Sequence, residues 1–218
     1  MTQGEELTGM VLLAAPSGDY DRRLILLTKE RGKITVFARG ARKPTSSFLA
    51  VTSPFCFGRF SVFAGRTAYT LVNAEISDYF SPLKEDYVGA CYGFFFLEFA
   101  SYYGRENLDA GEMLNLLYVS LKALVSKQFP NPLVRLVYET RLMVINGEYP
   151  QDTADDPALS QTARYALRFM ITVPLRSLYS FTLSDEVLGE LVRVQNGIRK
   201  RYTDSHFKSL DILEAMTD

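Results

Sequence analysis

The sequence predicts an α+β chain: a five-stranded β-barrel over residues 1–80, followed by an all-helical domain over residues 81–218. Three observations predict it. Residues 8–80 are short apolar or alternating segments separated by turn residues, with no stretch long enough for a crossover helix. From Pro82 onward, apolar residues recur at helical spacing instead. Charge divides along the same line. Residues 22–66 hold ten Lys or Arg against one acid, Glu30, a net +9, while the rest of the chain holds fourteen basic and twenty-four acidic side chains, a net −10.

The strands follow in order. Residues 8–14 are a short apolar strand, closed by a turn around Pro16, Ser17, Gly18 and Asp19. Residues 22–28 form the second, and Glu30, Arg31 and Gly32 make a tight turn. Residues 33–39 alternate, with Ile34, Val36 and Ala38 on one face and Lys33, Thr35, Phe37 and Arg39 on the other. Residues 40–53 read as a basic loop containing Pro and Ser. Residues 54–64 are a Phe-rich strand, joined as a hairpin through Ala64, Gly65 and Arg66 to a last strand over 67–76. Five strands in so short a length predict a closed barrel of the oligonucleotide-binding (OB) type.

The helices begin at Pro82, with Glu85 and Asp86 placed in the first turn, where the helix dipole favours acids. Residues 83–103 are apolar on nearly every face (Tyr87, Val88, Cys91, Phe94, Phe95, Phe99) and predict a central buried helix. A second helix covers 109–127, with Met113, Leu116, Leu117, Val119, Leu121 and Leu124 at helical spacing. A third covers 132–146 and ends at Gly147, with Pro150 beyond. Residues 151–157 read as an exposed acidic loop and 159–170 as a fourth helix. Ser184 N-caps a fifth helix that runs to about residue 202.

Composition excludes several function classes. With Cys56, Cys91 and one histidine, His206, the chain lacks the ligands of a Cys/His zinc site, and no cofactor or metal is expected. No secretory signal opens it. Its longest apolar run, 92–99, is broken by Gly93 and Glu98, far short of the roughly 20 residues that span a bilayer. A soluble, intracellular protein is expected. No nucleotide-binding glycine motif, GxSxG or HExxH is present, and a catalytic triad would have to use His206, so no enzyme is predicted. A metal-dependent nuclease reading is open only through Asp19 and Asp21 with Glu30.

Binding is the better-supported chemistry. Phosphates require cations, and unstacked bases require an aromatic surface. Lys33, Phe37 and Arg39 share one strand face, Phe57 and Arg59 another, and the loop Arg39, Gly40, Ala41, Arg42, Lys43, Pro44 adds three cations. Arg39, Arg42 and Lys43 lead the candidate nucleic-acid contacts, with Arg22, Arg23, Lys33, Phe37, Arg59 and Arg66 after them. A second cluster, Arg199, Lys200, Arg201 and Lys208, either complements a helix dipole or captures an acidic peptide or DNA. An RNA-binding protein, or a scaffold that binds protein tails, would carry the same features.

A family resemblance is carried by Asp21, Arg22, Arg23 and Leu24 through Thr28, then Gly32, Lys33 and Ile34, then Arg39, Gly40, Ala41, Arg42, Lys43 and Pro44. Ser53, Pro54 and Phe55, the segment from Leu142 to Gly147 with Pro150, Ser184 to Leu191, and Phe207, Lys208, Ser209 and Leu210 extend it over nearly the whole chain. In this order the motifs resemble the RecO family of bacterial recombination-repair proteins. The resemblance implies an OB barrel with a helical domain, DNA binding without catalytic turnover, annealing of complementary strands, and a cytoplasmic, nucleoid-associated location. It implies help in loading RecA, with RecR and the acidic C-terminal tail of single-strand-binding protein as partners. Many members carry a four-cysteine zinc module after the third helix. Here residues 146–181 contain no Cys or His, so the resemblance is to a zinc-free, shortened form.

Overall fold

A computed structural model describes residues 4–217. They fold as two compact units, residues 4–85 together with 100–115, and residues 86–99 together with 116–217.

The first unit is built on a closed barrel of β1 (Gly4–Ser17), β2 (Asp21–Thr28), β3 (Gly32–Ala38), β4 (Phe57–Ala64) and β5 (Tyr69–Asp78), in the order β1-β2-β3-β5-β4. The long β1 makes closure possible. Its first half pairs with β4, its second half with β2, and a bulge between Val11 and Leu13 lets it change partners. The last seam is short and parallel, Val36 and Phe37 against Tyr69 and Thr70. The alternation read from 33–39 is present: Ile34, Val36 and Ala38 enter the barrel core with Leu7, Val11, Leu24, Phe60 and Leu71, while Lys33, Thr35 and Phe37 are half-buried. The loop between β3 and β4, expected as an irregular basic segment, holds a helical turn, α1 (Phe48–Val51).

Residues 104–110 lie along the β2–β3 turn. Lys33 N donates to Arg105 O at 3.0 Å, Asn107 N to Arg31 O at 2.9 Å and Ala110 N to Lys29 O at 3.0 Å. The close approach requires Gly32, whose φ is +64° and where a Cβ would stand 1.9 Å from Arg105 O.

The helices are α2 (Tyr87–Tyr103), α3 (Gly111–Ser126), α4 (Asn131–Ile145), α5 (Gln161–Thr172), α6 (Asp185–Tyr202) and α7 (Lys208–Thr217). Helix starts shift from expectation, notably at α2 and α5, and one expected loop is helical. Pro82 opens a separate 3-10 turn, Ser81–Lys84, and α2 begins after Asp86, whose Oδ1 accepts from Gly89 N at 2.9 Å. Asp86 is thus the cap rather than a first-turn acid. Ser160 caps α5 by accepting from Ala163 N, so that helix starts at Gln161. The acidic residues 151–155 form a 3-10 turn rather than coil. The Ser184 cap of α6 is as expected, accepting from Val187 N. α4 ends at Gly147, with Gly147 N bonded to Val144 O and Glu148 N to Met143 O.

In the second unit, Phe96 stacks on Tyr138 at 4.3 Å and Phe95 on Phe99 at 5.5 Å, with Phe207 edge-on to Phe95 and Phe99. Glu98 of α2 accepts from the backbone of Lys208 and Ser209 and so caps α7. α2 is not buried all round: Tyr87 is 71% exposed, and Val88 and Phe94 are also exposed. Hydrophobicity on every face does not guarantee a neighbour for every face. Between α4 and α6, Glu139 and Arg199 are buried, and Arg135 joins them.

Candidate nucleic-acid interface

The ten cations of residues 22–66 do not form one surface. The fold sorts them by the loops that carry them. Where β1 turns into β2 and β3 runs into its long loop, Arg22, Arg23, Arg39, Arg42 and Lys43 come together.

Two backbone segments are fastened there. Arg42 N donates to Tyr20 O at 2.8 Å and Gly40 N to Asp21 Oδ1 at 2.7 Å. Arg42 Nη1 lies against the carbonyls of Gly18 and Asp19, at 3.3 and 3.2 Å. The Lys43 ammonium sits 5.6 Å from the centroid of the Tyr20 ring. Arg22 donates to Leu49 O and Thr52 Oγ1, tying α1 to the barrel. Arg22 and Arg42 then line one groove of about 210 Å³ with Ala14, Ala15, Pro16, Ser53 and Pro54. Arg23 and Arg39 are exposed, and their guanidinium groups make no hydrogen bond or ion pair with another described residue.

The strand pairing continues this surface. Arg23 lies opposite Ala15 on one side and Phe37 on the other, and Phe37 pairs with Thr70 of β5, which pairs with Phe63 of β4. Directly paired residues share a face, so a cation, a half-buried ring and an exposed ring follow one another around the barrel wall. Arg66 is exposed in the β4–β5 turn, before Thr70.

The remaining predicted contacts are engaged elsewhere. Lys33, expected in a free row with Phe37 and Arg39, is half-buried and its Nζ donates to Ser101 O at 2.6 Å. Burial, with Arg105 nearby, pushes its ammonium pKa down. Arg59 pairs with Glu75 at 2.8 Å on the neighbouring strand; Arg31, a cation of the segment outside the predicted contacts, pairs with Glu5 at 2.9 Å. In the second unit Arg199 is 3% exposed and bound to Glu139 at 3.1 Å, so it is a core residue and not a surface contact. Lys200, Arg201 and Lys208 are exposed. Arg201 lines a groove of about 620 Å³ opposite Asp152, Asp155 and Asp156.

Two of the three carboxylates of the nuclease reading serve the backbone: Asp21 accepts from Gly40 N and Glu30 from Thr8 N. No three or more His, Cys, Asp or Glu converge as metal ligands among the described residues. No helix among them is long and apolar enough to cross a membrane. Tyr20 was missed by sequence reasoning. Its signal was available: an aromatic ring in a Gly-Asp turn, two residues before a pair of arginines.

Residues 1–80 match the family described as "Recombination protein O N terminal". Over its length the chain is similar to the DNA repair protein RecO of Acetivibrio thermocellus, 26% identical over 241 residues that cover 96% of each chain. The RecO protein of Clostridium acetobutylicum is 25% identical over 239 residues, 96% of this chain and 97% of its own. That of Alkaliphilus metalliredigens is 30% identical over 161 residues, 74% of this chain and 65% of its own. A five-stranded barrel with these helices, the matched N-terminal region and similarity along the whole length converge on one assignment: the chain belongs to the RecO family of DNA repair proteins.

Proposed function

We propose that this chain is a recombination mediator. It binds single- and double-stranded DNA, anneals complementary strands and, with RecR, assists loading of RecA onto DNA coated by single-strand-binding protein. The observation that carries the reading is the gathering of Arg22, Arg23, Arg39, Arg42 and Lys43 beside an exposed aromatic at one end of the barrel. Two strands approach each other against phosphate repulsion. A cluster of fixed cations lowers that repulsion while base pairing supplies the sequence selection. No bond need be broken, and the chain works without turnover, in the cytoplasm at the nucleoid.

Within the barrel, Arg39, Arg42 and Lys43 are the leading phosphate contacts, with Arg22, Arg23 and Arg66 in support and Phe37 on the wall between. The acidic tail of single-strand-binding protein is assigned to the helical unit. Along the groove at Arg201 such a tail would meet Asp152, Asp155 and Asp156, which repel it. That leaves the exposed Lys200 and Lys208 as its better cations.

The test is binding and annealing by the Arg39, Arg42, Lys43 triple alanine variant at low salt, with RNA as competitor. The expected result is a folded protein with strongly weakened strand binding and slower annealing. Unchanged affinity removes the site, and clear preference for RNA removes the DNA assignment.

A further inference from the structure

We propose that Tyr20 is a stacking platform for an unpaired base, an inference that rests on the DNA-binding reading of the barrel. Tyr20 is 55% exposed at the tip of the β1–β2 turn, a position where no packing requirement explains an aromatic. Its hydroxyl makes no hydrogen bond with another described residue. Yet the ring does not hang on a loose loop. Its backbone carbonyl accepts from Arg42 N, and the two residues before it are held by the Arg42 guanidinium. The turn is therefore fixed from outside by the loop that carries the phosphate-binding candidates.

The Lys43 ammonium lies over the ring at 5.6 Å. One cation covers one face of a ring, and the exposure of Tyr20 leaves the remainder in solvent. A base stacked there would place its flanking phosphates near Lys43 on one side and the groove of Arg22 and Arg42 on the other. Base stacking on aromatics is tolerant of sequence, which suits a protein that must hold any strand. A paired base inside a duplex keeps its faces buried against its neighbours, so the platform selects unpaired nucleotides. It thus gives one charged surface a way to distinguish a single strand from a duplex.

The chain contains no tryptophan, which makes the test direct. Tyr20→Trp introduces one indole, and its emission reports stacking. Three probes of equal length are titrated at low salt: an oligothymidine, an abasic deoxyribose-phosphate strand, and a blunt duplex. The expected result is quenching by oligothymidine, with binding but little quenching for the abasic strand and the duplex. Tyr20→Ala in the full chain should weaken oligothymidine about five- to one-hundred-fold while leaving the abasic strand within about twofold. Oligothymidine bound with unchanged emission, or equal quenching by the abasic strand, overturns the proposal. If the wild-type chain binds none of the three, the DNA reading itself fails.

Discussion

Arg199 Nη1 donates to both carboxylate oxygens of Glu139 at 3.1 Å, across 60 residues of sequence and out of contact with solvent. Arg135 adds a bond of 2.7 Å to the same carboxylate, and Asn196 Oδ1 accepts from both guanidinium groups. Helices α4 and α6 are held in register by this network. Removing Arg199 leaves the buried Glu139 carboxylate with Arg135 as its one cation and a cavity where the guanidinium lay. Arg199→Ala should lower unfolding free energy by about 3–5 kcal/mol, read in urea denaturation. Lys200→Ala, one residue on and exposed, should change it by less than about 0.5 kcal/mol. Equal effects would show that the network is not structural.

Salt dependence separates the free cations from the engaged ones. With five cations at the β1–β2 end each displacing a counterion, log affinity for a single strand should fall against log salt with a slope near about −3.5. The Arg39, Arg42, Lys43 triple alanine variant should bring that slope to roughly −1.4. Filter binding or anisotropy across a salt series measures both. A slope left unchanged by the three substitutions places the strand elsewhere.

Lys33 and Arg39 lie one residue outside or inside the two ends of the same strand and should behave differently. Lys33→Met removes the bond to Ser101 O and should cost about 1 kcal/mol of stability. Its effect on strand affinity should stay within about twofold. Arg39→Ala should leave stability almost unchanged and weaken binding several-fold. Thermal unfolding and anisotropy on the same preparations provide the comparison.

Glu190 gives a pH signature in the helical unit. It accepts from the Ser160 backbone and hydroxyl, both at 2.7 Å, and these bonds hold its carboxyl below the usual range. A depressed carboxyl pKa contributes stability above the unfolded value of about 4.3, and that contribution is lost as pH falls through the lower folded value. Ser160→Ala should raise the Glu190 pKa towards its ordinary value, seen by NMR titration. It should also flatten the acid limb of stability below about pH 4.3. The same substitution removes the α5 cap, so Glu190→Gln, which keeps the cap, isolates the charge.

Much of the fold was legible because its signals are local. The alternation of Ile34, Val36 and Ala38 needs only period two, and the Ser184 cap and Gly147 stop need only neighbours in sequence. What could not be read depends on distant partners. Nothing near Lys33 announces Ser101, 68 residues away. Arg199 sits in a run of three cations at a helix end, a pattern identical to a solvated one until Glu139 is placed. The start of α2 was misplaced because Pro82 suits the first turn of any helix, and the short 3-10 turn used it first. Tyr20 was overlooked because a single ring in a turn has no periodicity. Only the folding back of Arg42 and Lys43 gives it company.

The hydrogen bonds from residues 105–110 to the β2–β3 turn have a consequence for synthesis. A ribosome delivers all five strands before it delivers Arg105, Asn107 and Ala110. Until those residues emerge, the carbonyls of Lys29 and Arg31 and the amide of Lys33 have only water as partner, and the space against Gly32 that Arg105 fills is empty. A nascent barrel can therefore close its five strands while α2 is still being made, but its β2–β3 turn is completed only once Ala110 has emerged. Truncation at residue 80 would hold the chain in that interim state, and expression of the barrel alone should be judged with residues 100–115 in mind.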